Sequence, residues 1–550
     1  MVDVQRIEKC AIFQEMSEED RSYWCDMKCK KFLHNIDTFY YSVKLGEDFT
    51  YESQDPKVLA FRAAVENIHR RLSVKSYSGD VLQFHVRNLD EFLADKKVSS
   101  LSEYLNVKNL SFGKFYTFCL EAPEEFDIFI APVVPGSEGI GSVTSEIIVQ
   151  IRASMLWELG VNRAFEKSYA FIQAICKMYG LTIMEVKENR TDFCWHTNYL
   201  EQPEKFFALD NFYEMRVDRY KDAIYHTEKV RSGKYEVDYI SLGRRGGRCF
   251  IRIYNKCKEV IEKNYKPFFF NTWLFHGLIN RYDLFVLEES FRNVSWQYRT
   301  IARLKFYLEH GTDPEKLQQC REQIEVYELS AKVTDKMMEL ADELTPPLNL
   351  IYNIEFQLMR KASKSYEIIP FKNNEKYGPA KRIYDFFDNR RLICDYLTTN
   401  IFRLVEKTGD VNMSRRPDCG FWIALKRTKM VDASPVPEGL KLQRNYNRKL
   451  NADKMKQSIV RKAVTYGMYV KGINQDDIVD DVMLSVLRLN DNDIHDAKKY
   501  KERKAKQLPQ EQLQEALPAE DMQTDHIFQL VDEKTGEFFD FRNYDDWVDS

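Results

Sequence analysis

The feature that most constrains this chain is the alternation in CFIRIYNK, residues 249–256, where Ile251 and Ile253 interleave with Phe250, Arg252, Tyr254 and Lys256. Side chains of a strand point alternately to opposite faces, so the isoleucines make a core face and Arg252, Tyr254 and Lys256 share the other. Upstream, YEVDYISLG is joined to this run by RRGG, a hairpin turn. LTIMEV running into ENRTDFCWH, together with INRYDLFVL, completes four further strand candidates between Leu181 and Leu287.

The flanking segments read as α+β. Short apolar bursts from Asp37 to Cys119 surround one helical stretch, DPKVLAFRAAVENIHRRL, and the strand-like SEIIVQIRA leads to a helix from Asn162 to Tyr179. The expected organisation is an N-terminal extension (1–34) and an antiparallel-sheet domain with flanking helices (35–310). An amphipathic connecting helix (311–345) stops at Thr345-Pro346-Pro347, the candidate hinge. A mostly helical C-terminal domain (346–500), a flexible polar linker (501–525) and an acidic aromatic tail (526–550) follow. Catalysis is expected to be complete by about Leu344.

A chain of 550 residues with 44% hydrophobic content can bury more than one core. The net charge of −4 leaves partners to be judged from local patches. Eleven scattered cysteines, an odd number, argue against a disulfide framework and for a reducing compartment. Cys25, Cys29 and His34, with Cys10 upstream, have spacing a zinc ion could use, but Lys30 and Lys31 crowd the set. The N-terminus lacks a signal-peptide layout and no apolar run reaches the roughly 20 residues of a membrane span. The expectation is a soluble, cytoplasmic protein.

A phenol between Arg252 and Lys256 is a cationic setting suited to attack on a phosphodiester, although an exposed strand with a solvated basic face has the same pattern. In ENRTDFCWH, Arg190, Asp192, Cys194 and His196 share a face, and Asp192 with His196 could converge on Mg²⁺ or Mn²⁺. INRYDLFVL, read as a strand, places Asp283 beside Arg281 as a second carboxylate ligand or as its ion-pair partner. Tyr235, Tyr239 and Trp195 are candidate stacking surfaces for bases. Between Lys441 and Lys471, nine basic residues, including Lys454, Lys456, Arg461 and Lys462, face the single acid Asp453, a duplex-binding layout or a solvated helix face.

In order, ENRTDFCWH, GKYEVDYISLGRRGGRCFIRIYNK and NRYDLFVLE resemble the replication initiation factor family of rolling-circle plasmids, which also contains relaxases of integrative conjugative elements. The family pattern is an Arg-x-Asp strand, a Y-x-G-x-R turn, the strand F-x-R-I-Y-x-K and a later strand with Arg-x-Glu. Here the middle block is Tyr239, Gly243, Arg244 or Arg245, then Phe250, Arg252, Ile253, Tyr254 and Lys256, with one extra residue before Gly243.

The resemblance implies that Tyr254 is a nucleophile that nicks one DNA strand at an origin. It would leave a 5′-phosphotyrosine on the protein and a 3′ hydroxyl as primer, with later religation. It implies Arg252 and Lys256 as catalytic groups and a divalent metal, Mg²⁺ or Mn²⁺, on Asp192, His196 and Asp283. Two positions depart from the pattern: His196 replaces a common acid, and the later glutamate appears as Asp283. Arg190, Arg244, Arg245 and Arg248 would contact DNA. A conjugative relaxase and a non-catalytic DNA-binding regulator are the alternatives. No G-x-x-x-x-G-K-[ST] loop occurs, so strand separation falls to a host helicase. A second copy of the chain is a further partner this reading allows, and a membrane is not.

Overall fold

A computed structural model describes residues 9–26, 31–75, 82–85, 104–108, parts of 112–131, 145–200, 202–220, 223–229, 235–264, 266–363 and, with short interruptions, 366–432. Chain contacts divide the molecule into two units, and the architecture below belongs to the larger, Met1–Lys364 with Ile368–Leu442 and His526–Ser550. Lys454, Lys456, Arg461, Lys462, the linker and the acidic tail lie outside the described residues.

Its centre is an antiparallel sheet. In chain order the strands are β1 (Phe32–Leu45), β2 (Leu82–His85), β3 (Tyr104–Lys108), β4 (Phe118–Ala122), β5 (Phe126–Ile130), β6 (Ile147–Ile151) and β7 (Ile183–Thr197). They continue with β8 (Arg216–Asp218), β9 (Ala223–Lys229), β10 (Tyr235–Leu242), β11 (Cys249–Asn255), β12 (Tyr352–Met359) and β13 (Phe402–Leu404). Eleven of them form one sheet in the order β2-β3-β4-β5-β6-β1-β7-β12-β11-β10-β9, while β8 and β13 pair separately. Each half is a meander whose last strand returns beside its first, β6 against β1 and β12 against β7. The two long strands β1 and β7 join the halves.

The apolar alternation fixes the register. Ile253 and Ile251 lie opposite Ile354 and Phe356 on β12, which lie opposite Trp195 and Phe193 on β7. All six are buried. Phe402 on β13 and Trp422 on the helix Gly420–Arg427 cap this layer against Phe356. Burying each such side chain contributes about 1.5–3 kcal/mol. The expected hairpin is present, with Leu242 opposite Ile251, and Gly243 and Gly246 supply its positive φ values of 88° and 65°.

Three expectations change. INRYDLFVL is not a strand: Arg281–Arg292 is a helix whose Asn280 and Asp283 form a capping box and whose Tyr282, Val286 and Ser290 are buried at i, i+4 spacing. The connecting helix is two helices, Pro314–Ser330 and Asp335–Leu344, separated where Ala331 turns left-handed at φ 50°. The chain after Pro346-Pro347 does not begin with helix: it supplies β12, between β7 and β11. Helices Lys381–Asp388, Arg390–Tyr396 and Gly420–Arg427 follow only after it.

Candidate active site

The face opposite the isoleucines collects the polar residues of three adjacent strands: Arg252 and Tyr254 on β11, Asn353, Glu355 and Gln357 on β12, and Arg190, Asp192, Cys194 and His196 on β7. Tyr254 is buried, 6% exposed. Its hydroxyl donates to Glu355 Oε2 at 3.0 Å and accepts from Asn353 Nδ2 at 2.9 Å and from Lys256 Nζ at 3.4 Å. Arg252 grips the other oxygen of the same carboxylate through Nε and Nη2, at 3.0 and 2.7 Å. Its guanidinium carbon lies 5.3 Å from the Tyr254 ring centroid. Burial, reinforced by the charges of Glu259 and Glu355, pushes the phenol well above its ordinary value, against the pull of Lys256 and Arg252. The tyrosine therefore rests as a phenol with its proton already directed at a carboxylate.

Lys256 leaves the strand and opens the short helix Lys256–Glu259. Its ammonium lies 2.7 Å from Glu259 Oε2 and 3.3 Å from Asp37 Oδ2. Burial works against its charge, but Glu259, Tyr254 and Asp37 outweigh burial and hold the amine well above its ordinary value. Asp37 reaches this position because the β1–β7 register slips between Ile36 and Thr38. Trp157 Nε1 donates to its other oxygen at 2.6 Å, and His196 Nε2 stands 3.5 Å from Oδ2.

The three expected metal ligands are not brought together. His196 is four residues beyond Asp192 on one strand, roughly 13 Å along it. Its Nδ1 accepts from Trp273 Nε1 at 3.1 Å and its ring stacks on Trp157, so burial keeps the imidazole neutral. Asp283 is a helix cap: it accepts from the backbone of Asn280 at 3.0 Å and from the side chain of Asn349 at 2.8 Å. Asp192 does lie on the site face, bonded to Arg190 at 2.9 and 2.6 Å. Burial and then the charge of Glu355 push its carboxyl up to about 6, with Arg190 and Arg252 opposing.

A different set, Asp37, Cys194 and His196, is buried with ligand atoms within 4.8 Å of one another and could bind a metal. Of the zinc spacing noted near the N-terminus, Cys29 lies outside the described residues, and His34 Nδ1 donates to the Cys194 carbonyl oxygen at 2.8 Å while its ring stacks on Trp195. Of the proposed DNA contacts, Arg190 pairs with Asp192, Arg244 and Arg248 are exposed, and Arg245 is half-buried in the β10–β11 loop. Trp195 is buried in the apolar layer and offers no stacking surface.

Sequence reasoning missed Glu355, Asn353, Asp37 and Glu259. The first two had a signal, since YNIEFQL alternates strictly between apolar and polar residues over 352–358. Asp37 had none, because a bulge rather than the alternation turns it toward Lys256.

No helix among the described residues is long and apolar enough to cross a membrane. No family model matches the sequence, and no curated protein is found similar to it. Among solved structures, the chain is similar to a rolling circle replication initiator protein from Geobacillus stearothermophilus, at 10% identity and a TM-score of 0.30, covering 72% of this chain and 95% of that one.

Proposed function

We propose that the protein nicks one DNA strand with Tyr254 to initiate rolling-circle replication, forming a 5′-phosphotyrosyl linkage that is later religated. The observation that carries this reading is the Tyr254 hydroxyl held between the Glu355 carboxylate and the donors Asn353 and Lys256. A phenol is a weak nucleophile at neutral pH, so attack requires a proton acceptor and compensation of the charge that develops. Glu355 accepts the phenolic proton as the oxygen attacks phosphorus and the 3′ oxygen leaves. Arg252 steadies Glu355 and, with its side chain 20% exposed, offers the more open cationic approach for the phosphate. Lys256 and Asn353 hold the phenolic oxygen toward the phosphate.

A divalent ion fits the same face. Asp192 and Glu355 lie diagonally across adjacent strands, and the charge of Glu355 adds to the cost of ionising Asp192, a repulsion that a cation relieves. Asp192 and Glu355 would hold Mg²⁺ or Mn²⁺, in place of the set Asp192, His196 and Asp283. When bound, such an ion polarises a phosphoryl oxygen. The basic segment with Lys454, Lys456, Arg461 and Lys462 would add non-specific duplex affinity.

The test is cleavage of a labelled single strand from a randomised pool enriched for cleavage by the wild-type protein. Tyr254→Phe abolishes cleavage, whereas Tyr239→Phe and Tyr282→Phe retain it. Cleavage by Tyr254→Phe at the wild-type rate would overturn the assignment.

A further inference from the structure

We propose that His226 and Tyr239 form a base-stacking subsite for a nucleotide of the single strand close to the bond that Tyr254 attacks. The subsite rests on the nicking reading above. Tyr239 lies directly opposite Tyr254 across the β10–β11 pair, and His226 lies opposite Tyr239 across the β9–β10 pair. The three residues thus make one row that crosses the sheet from the reactive phenol to the edge strand β9. The His226 and Tyr239 rings are nearly parallel, 11° apart with centroids at 4.9 Å. The imidazole side chain is 56% exposed, so the stack ends in an open aromatic face at the sheet edge.

Two strand spacings separate His226 from Tyr254, roughly 10 Å, a span that a few stacked nucleotides cover at about 3.4 Å each. Every base has a π-face, so such a platform holds the strand without selecting its sequence. Charge also permits a phosphate here. Asp238 stands 4.0 Å from His226 Nδ1, and Lys258 at 3.2 Å and Lys263 at 3.8 Å bridge it. Lys263, 56% exposed, leaves an ammonium open to solvent beside the stack.

The test uses full-length Tyr254→Phe protein and a 12-nucleotide thymidine strand carrying 5-iodouracil, which forms covalent bonds to stacked aromatic side chains under long-wavelength light. Mass mapping is expected to find the cross-link on His226 or Tyr239. In the same background His226→Ala weakens binding of the strand about tenfold, within the range for one lost base stack, and His226→Phe restores it. Cross-links confined to other residues, or equal binding by His226→Ala, would overturn the subsite. Covalent adduct formation by wild-type protein on the randomised pool separates the two claims. No adduct at Tyr254 sinks the nicking reading, whereas an adduct with unchanged His226→Ala binding sinks only the subsite.

Discussion

Exchanging the Glu355 carboxylate for an amide of the same shape isolates its part in the chemistry. Glu355→Gln keeps a group beside the Tyr254 hydroxyl but removes the proton acceptor and the counter-charge of Arg252. The expected loss in single-turnover cleavage is about 10²–10⁴-fold, the usual worth of a positioned general base, with strand binding little changed; cleavage within a factor of two of the parent would remove Glu355 from the mechanism. His34 carries a prediction of a different kind. Burial, the largest effect, pushes its imidazole down from 6.5 to about 3. The folded protein therefore binds fewer protons there than the unfolded chain. This contribution to stability is complete above pH 6.5 and is lost as pH falls from 6.5 toward 3, a change on the order of a few kcal/mol. In denaturant titrations across that window, His34→Phe should show a pH slope smaller by up to one proton; an unchanged slope would show that His34 does not titrate against folding.

Elements differ in how openly the sequence declares them. The β10–β11 hairpin was legible because alternation, a glycine-bearing turn and a basic face all agreed. INRYDLFVL misled because a short apolar run fits both periods, and the cap that decides for helix, Asn280 with Asp283, was read as part of a metal-binding strand. That reassignment is testable. Asp283→Ala should lower the melting temperature, since losing a capping interaction costs about 0.5–2 kcal/mol, while cleavage per folded molecule stays at the parent level. Cleavage lost without loss of stability would return Asp283 to the chemistry. The strand β12 escaped notice although YNIEFQL alternates, because the helical patterning before Pro346 and after Lys381 framed it as part of a helical region. The cluster of Tyr254 with Arg252 and Lys256 was therefore readable locally, whereas its partners Glu355 and Asn353 arrive from a strand about 100 residues later, as the separation between Tyr254 and Glu355 shows.

At the scale of the whole molecule, β12 changes where catalysis can end. A chain stopping at Leu344 lacks the strand between β7 and β11, together with Asn353 and Glu355, and leaves the edges of both neighbours unpaired. It is expected to be insoluble or to lack the cooperative unfolding of the full chain, and to cleave nothing; efficient cleavage by that fragment would show that β12 is dispensable. The two halves of the sheet, each a meander closing on its own long first strand, meet at β1–β7, and that junction brings Asp37 from the first half to Lys256 in the second. The surroundings of the Tyr254 phenol are thus assembled from residues of β1, β11 and β12. The most direct measurement is the covalent adduct itself. Full-length protein, incubated with the single strand it cleaves and a divalent ion, is denatured in detergent, digested and mapped by mass spectrometry. The account predicts a nucleotide joined through its 5′ phosphate to Tyr254; an adduct on any other residue, or cleavage with no adduct at all, would contradict it.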